Sequence, residues 1–211
     1  MKPSTVMSIA AVYATLCLFY FLPVAVGHKI IFPLMFLTLL SVRMQSWPVL
    51  SAMLFSALGD YAGSCHSFLW QMSSFALAHV AFVIAFVSRI LQSPVRWQRP
   101  SVAVCALLCL GAYLAVSQTI FPHVTNAAFH AGVSVYTALI LLMLLSAWTT
   151  GDRLLAAGAL LFVVSDTLLA WNKFVSLLPD SRYWILVPYF TAQFLLFIRS
   201  AAYRRQQSEA A

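Results

Sequence analysis

The chain has 211 residues, of which 63% are hydrophobic and only 8% are charged. A soluble globular domain is about half apolar and about a quarter charged, so this composition excludes a soluble fold and indicates a polytopic membrane protein. The formal net charge of +7 does not indicate a nucleic-acid partner, because the basic residues stand at the ends of apolar runs and form no patch with interleaved aromatic residues.

Eight apolar runs follow one another along the chain, at roughly 5–22, 27–42, 47–65, 68–91, 100–121, 125–148, 153–172 and 183–203. A membrane-spanning helix needs about 20 residues. The second run is shorter and contains Pro33, so it is expected to tilt, kink or lie shallow. The loops are too short for a soluble domain. The pattern predicts an all-α integral membrane bundle of about eight transmembrane helices, with a single transmembrane domain over 1–203 and a polar cytoplasmic tail over 204–211.

The basic residues are distributed unevenly between alternate loops. If the first run is retained as a span and the N-terminus is cytoplasmic, the inside carries Lys2, Arg43, Arg89, Arg96, Arg99, Arg153, Arg199, Arg204 and Arg205. Only Lys29, Lys173 and Arg182 then lie outside. The positive-inside rule therefore predicts that both termini are cytoplasmic. The expected location is a bacterial inner membrane.

Two aspartates stand inside apolar runs, Asp60 in LFSALGDYAG and Asp166 in GALLFVVSDTLLAWNKF. A charged side chain at the centre of a membrane helix costs about 2.5–3.5 kcal/mol on insertion scales, so each aspartate needs a partner, a wet cavity or a proton. The remaining acids fall in predicted loops or in the tail: Asp152, Asp180 and Glu209. The two intramembrane acids are therefore the main functional signal in the sequence.

Other polar side chains fall at the same predicted depth as these aspartates. They come from three further runs and are His79, His130, Tyr189 and Gln193. This convergence predicts one polar cavity that opens to one leaflet. On the third run, Ser56 and Asp60 share one helix face, while Gly59 and Gly63 form another face that permits close helix packing.

Four segments of the chain resemble the YhhN-like family of small multi-pass membrane proteins, which includes the lysoplasmalogenases. They are FSALGD (55–60), FALAHVAF (75–82), GALLFVVSDTLLAWNKF (158–174) and PYFTAQFLL (188–196), in family order. The sixth run departs from the family pattern, because AGVSVY (131–136) stands where a proline-containing stretch is expected. Residues of that run therefore carry over poorly.

The resemblance implies a membrane lipid hydrolase that cleaves the vinyl ether bond of lysoplasmalogens. The implied products are a fatty aldehyde and glycerophosphoethanolamine or glycerophosphocholine. The resemblance places the catalytic role on Asp60 and Asp166, with support from His79, Asn172 and Gln193. Depth along the spans adds Tyr189 and, as a headgroup contact at the outer interface, Lys173. The expected partners are a lysophospholipid substrate and membrane lipids, without a cofactor; the oligomeric state is left open.

Two carboxyl groups suit this reaction, because vinyl ethers hydrolyse through an oxocarbenium ion that one acid can generate and a second carboxylate can stabilise. Burial favours the protonated form of a carboxyl group, so one aspartate can donate a proton while the other stays ionised. The drier sequence around Asp166 favours it as the acid and Asp60 as the stabiliser or water-orienting base, although the reverse assignment stays open. Their carboxyl groups are predicted to lie within about 5–10 Å of each other. An apolar channel is predicted to open near Asn172 and Lys173.

Two alternatives remain open at this point. Asp60, Asp166, His79 and His130 could hold a zinc ion that activates water, but the chain has no paired-histidine motif and no metal is expected. A transporter or lipid-binding membrane protein could use the buried acids for protons or cations. A serine nucleophile is not supported, because the chain has no GxSxG sequence.

Overall fold

A computed structural model describes residues 3–44, 46–92 and 100–210 of the chain. The elements in these ranges are helical, without a β-strand, which confirms the all-α prediction. The helices are α1 (Pro3–Phe21), α2 (Ile31–Val42), α3 (Trp47–Ser64), α4 (Phe68–Leu91), α5 (Pro100–Thr119), α6 (Ala127–Thr149), α7 (Arg153–Phe174) and α8 (Ser181–Ala210). A short 3₁₀ turn, Phe121–His123, connects α5 to α6.

Six of these helices are long and apolar enough to cross a membrane, namely α1 and α4 to α8. The protein is therefore a multi-pass membrane protein. Helix α2 has only 12 residues, which is about 18 Å at 1.5 Å per residue and shorter than the roughly 30 Å hydrocarbon core. Helix α3 has 18 residues and lies outside the set of six. The count of eight spans remains a prediction that depends on this pair.

The chain forms two compact units. Unit 1 comprises Met1–Phe82 with Gln193–Ala211, and unit 2 comprises Val83–Ala192. The boundaries fall inside α4 and α8, so each of these helices contributes residues to both units. Asp60 belongs to unit 1 and Asp166 to unit 2.

In unit 1, α2 packs on α3 and on α1. Pro33 lies in the first turn of α2, where the missing N–H is tolerated. The other side of α3 contacts α4 through its glycines. A Cβ atom at Gly59 would lie 3.0 Å from the Phe75 ring, and one at Gly63 would lie 2.6 Å from the Gln71 side chain. The glycine spacing on α3 thus permits the close helix approach that the sequence predicts.

In unit 2, α6 packs on both α5 and α7. The tight turn between α6 and α7 contains Gly151 at φ 73°, a left-handed conformation that glycine adopts without steric cost. Asp152 then caps α7, because its carboxylate accepts from the backbone N–H groups of Leu154 and Leu155. The same carboxylate pairs with Arg89 of α4 at 2.9 Å. Asp152, predicted as a loop residue, is thus a buried helix cap.

The last helix extends into the predicted polar tail. Helix α8 continues as far as Ala210, so the backbone of the segment that follows the last apolar run is helical. Pro188 lies inside this helix. Lys2, Arg96 and Arg99, which enter the topology prediction, lie outside the described residues.

Candidate functional site

Asp60 lies in the interior of unit 1, where its side chain is only 2% exposed. Helix α3 places it beside Gly59, and one turn after Ser56. Its carboxylate is close enough to interact electrostatically with Tyr13 and Cys17 of α1. The hydroxyl of Tyr13 and the thiol of Cys17 therefore lie within electrostatic range of this acid.

Tyr13 packs against α8. Its ring stacks on Phe194, with 5.4 Å between the ring centroids and an interplanar angle of 25°. Tyr13 is the only residue of α1 that is buried. Tyr13 thus contacts α8 and lies within electrostatic range of Asp60 on α3.

Three further polar side chains are fully enclosed in unit 1. Ser56, His79 and Gln193 each have 0% exposure. Neither amide atom of Gln193 has a hydrogen-bond partner among the residues that the structure describes, and the same holds for the Ser56 hydroxyl. A buried polar group without a partner costs about 1–3 kcal/mol. These two groups are therefore suited to bind water or a substrate group.

Asp166 lies near the middle of α7 in unit 2 and is 9% exposed. Its Oδ2 accepts a hydrogen bond from the hydroxyl of Tyr136, which stands on α6. A hydroxyl that donates to a carboxylate makes a stronger bond than one between two neutral groups. The neighbouring helix thus fixes the orientation of this carboxyl group.

The helix pair α7–α8 reinforces this position. Ser165 donates to the backbone carbonyl of Ile185 at 2.9 Å, three residues before Pro188 of α8. The rings of Phe162 and Tyr189 pack edge to face, with centroids 5.5 Å apart. Tyr189, predicted as a supporting residue, is therefore buried against α7 on the turn that precedes Asp166.

Asn172 and Lys173 lie in the last turn of α7. The side-chain oxygen of Asn172 accepts from the backbone N–H of Leu178 at 2.8 Å and so holds the connection to α8. Lys173 is exposed and lies about 10 Å beyond Asp166 along the helix axis. A structural role for Asn172 is thus visible, whereas its contact with substrate stays a prediction.

The predicted site residues divide between the two units. Asp60, His79 and Gln193 lie in unit 1, whereas Asp166, Asn172, Lys173 and Tyr189 lie in unit 2. Within unit 2, Asp166 and Tyr189 are on adjoining turns of a packed helix pair. The distance between the carboxyl groups of the two aspartates, and the cavity that the sequence predicts they share, remain predictions.

Sequence reasoning missed two tyrosines that stand next to the aspartates. Tyr136 lies in AGVSVY, where the family resemblance is weakest, and Tyr13 lies in the first apolar run, outside the matching segments. A signal for both was present, because a tyrosine in the middle of a span carries a hydroxyl that needs a partner. The identity of that partner depends on helix packing, which the sequence does not specify.

The metal-site alternative depends on whether several histidine, cysteine, aspartate or glutamate side chains lie close together. Among the described residues, no three histidine, cysteine, aspartate or glutamate side chains form a group that could hold a metal ion. His130, which the metal hypothesis requires, is exposed, and its ring packs against Phe121 with centroids 5.3 Å apart. Chelator sensitivity remains the test of this alternative.

The helices and their enclosed aspartates define a multi-pass membrane protein with ionisable groups inside its helical units. Comparison with known sequences then identifies the family: the chain belongs to the YhhN family, whose model matches residues 23–200. This match includes every predicted site residue and excludes the whole of α1.

The chain is also similar to named mammalian proteins. It is 32% identical to Lysoplasmalogenase TMEM86B of Homo sapiens over 150 residues, which cover 69% of this chain and 59% of that protein. It is 31% identical to the Sus scrofa protein of the same name over 160 residues, which cover 74% and 62%. For the Rattus norvegicus protein, the identity is 29% over 201 residues, which cover 92% and 73%.

This chain therefore spans less than two thirds of the human and porcine proteins that it matches. No solved structure matches it.

Proposed function

We propose that this protein is a lysoplasmalogenase-type hydrolase, which cleaves the vinyl ether bond of a lysophospholipid within the membrane. The observation that carries the proposal is the buried carboxyl group of Asp166, which a hydroxyl from the neighbouring helix holds in place. A second enclosed aspartate, Asp60, supplies the other carboxyl group that the chemistry requires. The names of the similar mammalian proteins support the same substrate class.

The reaction begins when a carboxylic acid transfers its proton to the alkene carbon that lies farther from the ether oxygen. This step leaves an oxocarbenium ion, which a carboxylate stabilises. Water adds to the cationic carbon and loses a proton, so the acid is regenerated. The resulting hemiacetal then breaks its bond to the glycerol oxygen, which takes up a proton as the hemiacetal hydroxyl loses one and becomes the aldehyde carbonyl. The products are a fatty aldehyde and glycerophosphoethanolamine or glycerophosphocholine.

The hydrogen bond from Tyr136 bears on the roles of the two aspartates. A hydroxyl donor stabilises negative charge on the oxygen that accepts its bond. This contact favours Asp166 as the carboxylate that faces the oxocarbenium ion, and it leaves Asp60 as the proton donor. It therefore supports the reverse of the assignment that the apolar sequence around Asp166 favours.

The remaining polar residues fit the needs of the substrate. The enclosed amide of Gln193 and the imidazole of His79 can position water or the glycerol hydroxyl groups. Lys173, exposed at the end of α7, can meet the phosphate at the membrane interface. Tyr189 and Asn172 hold α8 against α7 near Asp166.

The proposal includes the arrangement in the membrane. The distribution of lysine and arginine supports eight spans with both termini in the cytoplasm, and we propose a bacterial inner membrane as the location. A reporter domain fused after Arg205 should be cytoplasmic. A periplasmic signal would contradict this topology, and with it the common depth of the site residues.

The substrate proposal is tested with purified protein in liposomes. A 1-alkenyl lysophosphoethanolamine is compared with the 1-acyl lysolipid of the same headgroup and chain length. We expect fatty aldehyde from the alkenyl lipid, no fatty acid from the acyl lipid, and the same rate after treatment with EDTA and stronger chelators. Protein-dependent proton or lipid flux without aldehyde would instead support the transporter alternative. Activity that is lost with a chelator and restored by one divalent ion would contradict the carboxyl mechanism.

A further inference from the structure

A second candidate site lies at the N-terminal end of α7, whereas Asp166 lies near the middle of that helix. Within unit 2, a cavity of about 430 Å³ opens between the first turns of α5 and α7 and the last turn of α6. Its volume falls in the range of about 300–1,000 Å³ that is common for ligand sites. Arg153 begins α7 and Asp166 stands near its middle, so the two positions are about 20 Å apart along the helix axis. The cavity is therefore separate from the proposed reaction centre.

The walls of this cavity change from apolar to polar along α7. Val102, Ala156 and Leu160 form an apolar side, whereas Ser101 and Arg153 lie at the helix ends. Leu160 is 50% exposed on a helix that is apolar enough to cross a membrane, so this side of the cavity opens toward lipid chains. Trp148, at the end of α6, also lines the cavity. Tryptophan is enriched at the ends of membrane-spanning helices, where the membrane meets water.

The polar end carries a positive charge. The carboxylate of Asp152 is neutralised by Arg89 and by two backbone N–H groups of α7. Arg153 is exposed and makes no ion pair with any residue that the structure describes. An anionic group at the membrane interface would therefore find a guanidinium at the rim and apolar side chains beside it.

We propose that this cavity binds an anionic glycerophospholipid of the surrounding bilayer. Its phosphate contacts Arg153, and one acyl chain lies against Val102, Ala156 and Leu160. A zwitterionic headgroup fits less well, because its ammonium would approach the same guanidinium. A substrate lysolipid held here by its phosphate would have its headgroup end about 20 Å from Asp166. The site is thus assigned to a lipid that stays bound while the reaction proceeds elsewhere.

Native mass spectrometry of the purified full chain can measure this binding. Phosphatidylglycerol and phosphatidylcholine with the same acyl chains are titrated against the wild type, against Arg153→Gln and against Ala157→Phe, which places a ring in the cavity. We expect Arg153→Gln to weaken phosphatidylglycerol binding about fivefold, in line with one basic contact at a membrane surface. Ala157→Phe should remove the retained lipid of both kinds.

Matched controls are Arg182→Gln, which removes an exposed charge at the start of α8, and Leu107→Phe, which adds a ring on the exposed side of α5. Both should bind as the wild type does. Equal phosphatidylglycerol affinity in the wild type and Arg153→Gln would overturn the proposal.

A second measurement uses only the wild type, in case the cavity variants do not fold. Phosphatidylglycerol with a photoreactive acyl chain should label peptides from the first turns of α5 and α7, and unlabelled phosphatidylglycerol should compete better than phosphatidylcholine. Labelling confined to other helices would overturn the site. Stronger competition by a 1-alkenyl lysolipid than by phosphatidylglycerol would overturn the assignment to a bilayer lipid, while leaving the hydrolase proposal untouched.

Discussion

Asp166 of unit 2 and the enclosed side chains of Ser56 and Gln193 in unit 1 differ in their hydrogen bonding. In unit 2, the carboxyl group of Asp166 accepts from Tyr136, and Ser165 beside it donates to a backbone carbonyl of α8. In unit 1, which contains Asp60, the enclosed groups of Ser56 and Gln193 have no hydrogen-bond partner among the described residues. Proteins retain such groups mainly where water or a ligand completes their bonding. The difference suggests that unit 2 supplies a fixed carboxylate, while unit 1 supplies groups that engage the substrate or its water.

The largest effects should come from the aspartates themselves. Asp60→Asn removes the proposed proton donor and Asp166→Asn removes the proposed stabilising charge, while each keeps the side-chain size. We expect aldehyde release to fall about 10²–10⁴-fold in each variant. Size-exclusion chromatography and circular dichroism should show that both variants remain folded.

Asp180→Asn is the matched control for these two changes. Asp180 is exposed at the connection before α8 and has a positive φ of 53°, a conformation that asparagine also tolerates. This variant should keep wild-type activity. A comparable loss in Asp180→Asn would show that the assay responds to general damage rather than to the loss of a catalytic group.

Tyr136→Phe tests whether the hydroxyl of α6 positions Asp166. The change removes one hydrogen bond to a carboxylate and preserves the ring, so we expect kcat to fall roughly 10–100-fold, with a small effect on KM. Steady-state kinetics on the alkenyl lysolipid measure both constants. Tyr183→Phe, at an exposed position of α8, should leave both constants unchanged. Equal kinetics in the two variants would contradict the positioning role of Tyr136.

Gln193→Leu tests whether the enclosed amide of unit 1, which has no hydrogen-bond partner among the described residues, binds substrate or water. If the enclosed amide has only a structural role, replacing it by an apolar side chain should leave activity intact, and it can raise the melting temperature. If it binds substrate or water, as we propose, KM should rise several-fold while the melting temperature stays the same or increases. Thermal unfolding and steady-state kinetics are measured on the same preparation.

Ser200→Ala serves as the control for this substitution. Ser200 is buried on the same helix, but its hydroxyl already donates to the Leu196 carbonyl at 2.7 Å. Activity should therefore be unaffected. If Gln193→Leu and Ser200→Ala both kept wild-type KM, the distinction between the two units would fail.

Asp152→Asn should have the smallest effect on activity. Asparagine can still cap α7 through its side-chain oxygen, but the ion pair with Arg89 is lost. Because Arg89 keeps some contact with solvent, we expect a loss of about 1–3 kcal/mol in unfolding free energy. The rate per folded molecule should not change, as measured after correction for the folded fraction. A fall comparable with that of Asp166→Asn would place Asp152 in the reaction.

Much of the helical architecture was predictable from hydrophobicity. The apolar runs, the turn residues between them and the glycine face of α3 correspond to observed helices and contacts. Pro33 lies in the first turn of α2 rather than in its interior, a position where proline needs no kink, and the prediction that this run tilts, kinks or lies shallow stays a prediction. Whether α2 and α3 cross the membrane depends on how these two helices lie in the bilayer, which local sequence patterns do not specify.

The site was predictable only in part, because the sequence locates the aspartates but not the side chains that contact them. An aspartate inside an apolar run is energetically costly, so Asp60 and Asp166 could be selected from their positions in the sequence. Their neighbours Tyr13 and Tyr136 could not, because an intramembrane tyrosine is common and its partner lies on another helix. Asn172 was selected from the sequence as a site residue, but its side-chain oxygen accepts a hydrogen bond from the loop that follows α7.

The central proposal is that Asp60 and Asp166 act on one bond of the substrate. The most direct test is the residual rate of aldehyde release by the double variant Asp60→Asn/Asp166→Asn, compared with the two single variants in the same liposomes. Residues that act as one catalytic unit have strongly non-additive effects. The double variant should therefore be no slower than the slower single variant, within about threefold. A double variant whose loss equals the product of the two single losses would contradict a shared reaction centre, as would either single variant with the wild-type rate.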